Sequence, residues 1–239
     1  MDRRLAPLLV CVALAALASW SAQAQEATSV FGGFNTQKKS DYVYLGGVHA
    51  FRGNLDRDDW LLRAVVGGGK YDYTTTGVAG GRVSADQSAL QIGGGYQWAD
   101  TARKAAIYVS ADWQDHRLSP SDPGNSIRGS KSGVAVQGEW KTEGPGNHLG
   151  LIGQVSSVFG SYWARARYGF AVAGMHVGPE LVATGNREYR AGKLGAHMEW
   201  SLTKATSLDV SFGASDSKGK KARDSINGGY AGANLSYRF

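Results

Sequence analysis

The residue types best suited to chemistry lie close together near the middle of the chain: Asp115, His116, Ser119 and Asp122. A nucleophile, its base and an orienting carboxylate could be drawn from such a set, but only if the three meet in hydrogen-bond geometry. Nearness in sequence does not supply that. The stretch Leu118-Ser119-Pro120-Ser121-Asp122-Pro123-Gly124-Asn125 is built from turn-forming residues, and turn chemistry alone accounts for it. It reads as an outer loop that shows His116, Asp122 and Asn125 to solvent, and no catalytic residue is assigned. Asp122 and Asn125 offer too few oxygens for calcium. The five histidines are scattered without metal-ligand spacing, so neither a metal nor another cofactor is expected. Lys218, Lys220, Lys221 and Arg223 form a basic run near the C-terminus. In an exported protein it reads first as a solvated loop tip kept open by its charges, with lipopolysaccharide phosphates or an acidic polymer, not nucleic acid, as the neighbours it would otherwise meet.

What would position such residues is legible in the patterning. In 88–98, Ser88, Leu90, Ile92, Tyr96 and Trp98 alternate with Gln91, Gln97 and glycines; in 104–114, Ile107, Val109, Ala111 and Trp113 alternate with Tyr108, Ser110, Asp112 and Gln114. Val134, Val136 and Trp140 oppose Gln137, Glu139 and Lys141; Leu149, Leu151, Val155 and Phe159 oppose Gln154 and Ser156; Leu208, Val210 and Phe212 oppose Asp209 and Ser211. Period two is the signature of strands with one apolar and one polar face. Twelve such strands are predicted: 30–36, 41–52, 59–73, 85–98, 104–115, 130–141, 147–159, 161–173, 176–185, 188–200, 206–215 and 226–239. Many are longer than the usual five or six residues of globular strands, and suit a tilted membrane strand of roughly nine to eleven. Trp60, Trp98, Trp113, Trp140 and Trp200 lie near the ends of apolar faces, where an interfacial girdle belongs. The chain ends on Phe239 in an alternating strand. The predicted fold is all-β: an antiparallel up-and-down outer-membrane β-barrel of about twelve strands, apolar side outward. Connections 53–58, 99–103, 142–146, 174–175 and 201–205 should be the short periplasmic turns, and 74–84, 116–129 and 216–225 the longer outer loops.

Composition agrees. Of 239 residues 42% are hydrophobic, too many for a disordered chain, while a mean hydropathy of −0.29 leaves no room for several apolar helices. Glycine is abundant (34) beside only 5 prolines, with 11 Tyr and 7 Trp, which points to sheet. Residues 1–24 have a basic start, an apolar run over 5–18 and Ala22-Gln23-Ala24, the layout of a secretory signal peptide cut after Ala24. Residues 25–239 then form one barrel domain, without the sole cysteine, Cys11.

Facing inverts the usual logic of a core. By parity the lumen receives Arg63, Asp112, Glu139, Arg165, Arg167, Glu180, His197, Glu199 and Asp209. Both signs are present, as in a network of mutually satisfied charges; the alternative is the selectivity lining of a narrow channel. Arg165 and Arg167 share the inner face of one strand, and Glu180 on the next is the first partner expected. Leu90, Ile92, Val109, Leu151 and Val210 should touch lipid, and an arginine at Ile107, taken as mid-membrane, should cost more than one at Ser110.

Several stretches resemble the cellulose biosynthesis protein BcsS family. They are Gly53-Asn54-Leu55-Asp56-Arg57-Asp58 with Trp60-Leu61-Leu62-Arg63, Lys70-Tyr71-Asp72-Tyr73, Gly94-Gly95-Tyr96-Gln97-Trp98 and His116-Arg117-Leu118-Ser119-Pro120 leading to Gly129-Ser130-Lys131-Ser132-Gly133. Further on stand Tyr162-Trp163-Ala164-Arg165, Gly178-Pro179-Glu180 and Gly185-Asn186. The resemblance implies a place in cellulose production or export and carries over no site residue. The expected function is a non-enzymatic outer-membrane accessory of cellulose biosynthesis or secretion. Outer-membrane lipid and lipopolysaccharide are its surroundings, and cellulose or components of the secretion complex its partners. A narrow solute channel is the alternative, and a lipid- or polysaccharide-modifying barrel enzyme the remaining one.

Overall fold

The computed structural model describes residues 26–144, 146–219 and 226–239. The segment read as a signal peptide, with Cys11, and Lys220, Lys221 and Arg223 lie outside the described residues. Twelve strands follow one another: β1 (Thr28–Gln37), β2 (Ser40–Ala50), β3 (Asp59–Thr74), β4 (Arg82–Ala99), β5 (Arg103–Ser119), β6 (Gly129–Glu143), β7 (Asn147–Ser156), β8 (Tyr162–Val172), β9 (Met175–Gly185), β10 (Tyr189–Ser201), β11 (Thr206–Gly219) and β12 (Ile226–Arg238). Each pairs antiparallel with its sequence neighbours, and β12 returns to β1 to close the barrel. Closure leaves no unpaired strand edge, the condition for placing backbone in lipid. The seam is tied at its end by Thr28 N–H to the Phe239 carbonyl (3.0 Å) and Phe239 N–H back to Thr28 (2.9 Å).

The alternation places the side chains as the period-two pattern requires. Leu90, Ile92, Val109, Val134, Val136, Leu151, Val155, Leu181 and Phe212 are exposed on the outer face. Two aromatic levels bracket this band. Trp60, Tyr96 and Trp98 meet edge to face at the end carrying the termini (5.1 and 5.0 Å between centroids), and Trp113 sits level with Leu90 and Val66 at the other. From Ala105, paired with Trp98 and Trp140, to Trp113 is about 26 Å along β5 at ~3.3 Å per residue. At a tilt of about 40° that is about 20 Å of membrane height. Val109 is the middle of the band. Ile107, assumed central from the sequence, is level with Tyr96 and so nearer the girdle.

The inner face explains the composition. Gly46 lies under the Phe31 ring, Gly67 under Tyr42, Gly95 under Tyr108, and Gly195 and Gly213 under Tyr230; a β-carbon at any of them would collide with that ring. Large rings projecting from one strand rest on bare backbone of another. High glycine and tyrosine content is thus one packing device, filling a narrow lumen with side chains as barrels toward the smaller end of the range do.

Two connections depart from expectation. Residues 51–58 are not a plain periplasmic turn: they fold into the barrel mouth. Leu55 is buried with Ala50, Leu61, Ala106 and Tyr108, and the Gln97 amide donates to the Leu55 and Arg57 carbonyls (2.9 and 2.6 Å). At the opposite end β7 stops at Ser156, because Phe159 and Gly160 take left-handed conformations (φ 55° and 61°) that end the strand. Phe159, expected on the lipid face, is therefore turned inward and buried beside Val158 and Ile127.

Candidate functional site

Inside the barrel the ionisable residues form chains of contacts. Arg167 on β8 donates through Nε to Glu180 on β9 and through both terminal nitrogens to Asp209 on β11. Glu180, 2% exposed, also accepts from the Tyr230 hydroxyl (3.0 Å). The Arg167–Asp209 arm crosses the lumen, since β8 and β11 are not neighbours. Arg165 faces inward too but makes no ion pair among the described residues; its guanidinium lies over the Trp163 ring at 5.4 Å, a cation–π contact in place of the acidic partner expected for it. Arg63 does the same over Tyr108 (5.6 Å) and reaches Gln91 (3.4 Å). Gln91, Gln114 and Ser156 all donate to Asp112, Glu139 accepts from Gln137 (2.6 Å), and Glu199 pairs with Lys141 (3.4 Å).

Three of the five histidines, separate in sequence, are brought together by register. His148 on β7 lies 4.6 Å from His176 on β9 and 5.7 Å from His197 on β10, centroid to centroid. That departs from the scattered arrangement read from the sequence, which cannot show spacing across strands. Among the described residues no group converges its donors as a metal site.

The loop residues also move from where the sequence put them. His116 is not in a loop: β5 continues to Ser119, and parity sends His116 into the lumen, where it shares a hydrogen bond with the Tyr71 hydroxyl (3.1 Å). Ser119 lies exposed, an odd number of positions from His116 and thus on the opposite face of β5; the two do not meet. Asp122 and Asn125 are not surface residues either, being 3% and 7% exposed. The loop 120–128 folds over the outer mouth, held by Tyr73, whose hydroxyl donates to Asp122 (3.0 Å) and accepts from Asn125 (2.9 Å). Glu188 accepts from the Ser126 amide (3.0 Å). Tyr73→Phe should loosen the loop by about 1–2 kcal/mol, raising amide exchange over 120–128 roughly 5- to 30-fold; unchanged exchange would show that the Tyr73 hydroxyl does not hold it.

Beneath this loop lies a vestibule of about 150 Å³, walled by Tyr71, Tyr73, Tyr189, Gln37, Gln87 and His116. The charged residues bordering it are balanced, Lys38, Lys39 and Lys218 against Asp72, Asp122 and Glu188, with Asp72 and Lys218 at outward positions of β3 and β11. Nothing in the sequence marked it, because its walls come from the outer ends of several strands and from a loop whose inward course depends on its partners.

The family model for cellulose biosynthesis protein BcsS matches residues 29–239. The chain belongs to that family. Membership implies a role in cellulose biosynthesis, and in this BcsS chain most of the stretches carrying the resemblance lie toward the two ends of the barrel, with 178–180 in the middle of β9. The stretch 53–58 is the inner plug, 70–73 and 116–120 wall or flank the vestibule, and 178–180 supplies Glu180. No curated protein matches the sequence. Solved barrels similar in outline include LpxR from Salmonella typhimurium (12% identity, covering 88% of this chain and 100% of that one, TM-score 0.48), the NalP translocator domain from Neisseria meningitidis (11%, 98% and 95%, 0.45) and the KdgM porin (8%, 88% and 99%, 0.43).

Proposed function

We propose that this BcsS protein is a non-enzymatic outer-membrane accessory of cellulose biosynthesis or secretion, a closed barrel that anchors or organises the machinery at the cell surface. The apolar band between two aromatic levels supports the membrane placement, with lipid and lipopolysaccharide around it. The observation that carries the accessory reading is the filled lumen. Leu55 of the 51–58 segment inserts into the inner mouth, Arg167 bridges to Glu180 and Asp209 across the bore, and 120–128 folds over the outer mouth. An interior filled in this way supports a barrel with little bore for a polymer or an open solute path. The separation of His116 from Ser119 removes the one acyl-transfer set that the sequence offered.

Planar bilayers containing the refolded protein should therefore stay silent, while cells lacking it should lose surface cellulose. Steady ion conductance would favour the channel alternative instead, and an undiminished cellulose layer would remove the accessory role.

A further inference from the structure

The vestibule has the chemistry of a small sugar site. Tyr71 and Tyr73 are consecutive inward residues of β3, their rings stacked at 6.2 Å and 26°, so they present one near-continuous aromatic wall. The C–H face of a pyranose is apolar and slightly positive at its edge, and packs on such a π face. Around the wall stand groups that match hydroxyls: carboxylates and amides as acceptors, amide and ammonium N–H as donors. One acceptor there is unspent. The Gln37 Oε1 atom is buried and without a hydrogen-bond partner among the described residues, and Gln37 lines the cavity. A buried acceptor left unmatched is costly, and turning the Gln37 amide toward the cavity would offer it to a ligand hydroxyl.

Charge and size narrow the ligand. The charged residues bordering the space, Asp72 and Lys218 at outward strand positions among them, carry no net charge among the described residues, which gives neither the phosphates of lipopolysaccharide nor uronic acids an electrostatic advantage. Its 150 Å³ is about five waters' share of liquid at ~30 Å³ each, the order of a single sugar ring. We infer that the outer vestibule binds a glucosyl unit of a neutral β-glucan, holding a chain end or edge at the barrel mouth without threading it. This rests on the accessory reading above and names the partner for it.

Titrating the detergent-refolded barrel with cellohexaose should give saturable binding by calorimetry, weakened at least about tenfold by Tyr73→Ala and by Gln37→Leu. Each variant is first checked for the heat-dependent gel shift of a folded barrel. Gln37→Leu removes only the unmatched acceptor and its amide, so it keeps the test open if Tyr73→Ala fails to fold. Absence of cellohexaose binding by the folded wild type, binding unchanged in the folded variants, or tighter binding of a uronic-acid hexamer would each overturn the inference. If binding fails while bilayers stay silent and the deletion still loses cellulose, only the vestibule assignment falls. If binding holds but the barrel conducts, the accessory reading falls instead.

Discussion

Arg167→Met should lower the unfolding free energy of the barrel by about 3–5 kcal/mol, the largest loss expected from any single lumen substitution. Arg167 is the shared cation of Glu180 and Asp209, and Glu180 has almost no access to water. Removing the guanidinium leaves two carboxylates facing one another in a dry interior, each with its solvation lost and its partner gone. The triple change Arg167→Met, Glu180→Gln, Asp209→Asn should recover most of the loss, since neutral amides carry no uncompensated charge. Arg165→Met should be much milder, because Arg165 gives up a ring contact and no ion pair. Denaturant unfolding in micelles, followed by tryptophan fluorescence, measures all three. A wild-type midpoint for Arg167→Met would mean that the cross-lumen tie contributes nothing.

The second large effect is on the outer face. Val109→Arg should cost about 2–4 kcal/mol, as charged residues do at the mid-plane of barrel walls. Val109 is 56% exposed at the middle of the apolar band. Ile107→Arg, one row nearer Trp60 and Tyr96, should cost less, because the guanidinium can bend its stem toward the headgroups. Ser110, a natural comparison from sequence alone, is unsuitable: it is buried against Gly93, and an arginine there would meet a packed wall. Equal unfolding free energies for Val109→Arg and Ile107→Arg would overturn the placement of the membrane mid-plane.

Strand faces were open to sequence reasoning because a period of two needs only local information. Parity on adjacent strands was enough to pair Arg167 with Glu180. Asp209 was a different matter: it reaches Arg167 across the bore, and cross-lumen distance depends on strand number, shear and tilt together. The same holds for His148, His176 and His197, whose approach is a property of register. Loop residues failed for another reason. Turn-rich composition predicts that 116–129 leaves the sheet but not where it goes, and the Tyr73 hydroxyl that draws Asp122 and Asn125 inward is some fifty residues away.

The inner plug is also fastened to the two strands that meet last. Leu55 N–H donates to the Glu26 carbonyl just ahead of β1 (3.1 Å), and Asp56 is paired with Arg238 at the end of β12 (3.0 Å). The stopper and the seam therefore share one latch, and its two halves come from opposite ends of the translated chain. Parting β1 from β12 would therefore also release two ties on the stopper, while Gln97 and the cluster around Leu61 would still hold Leu55 in the mouth.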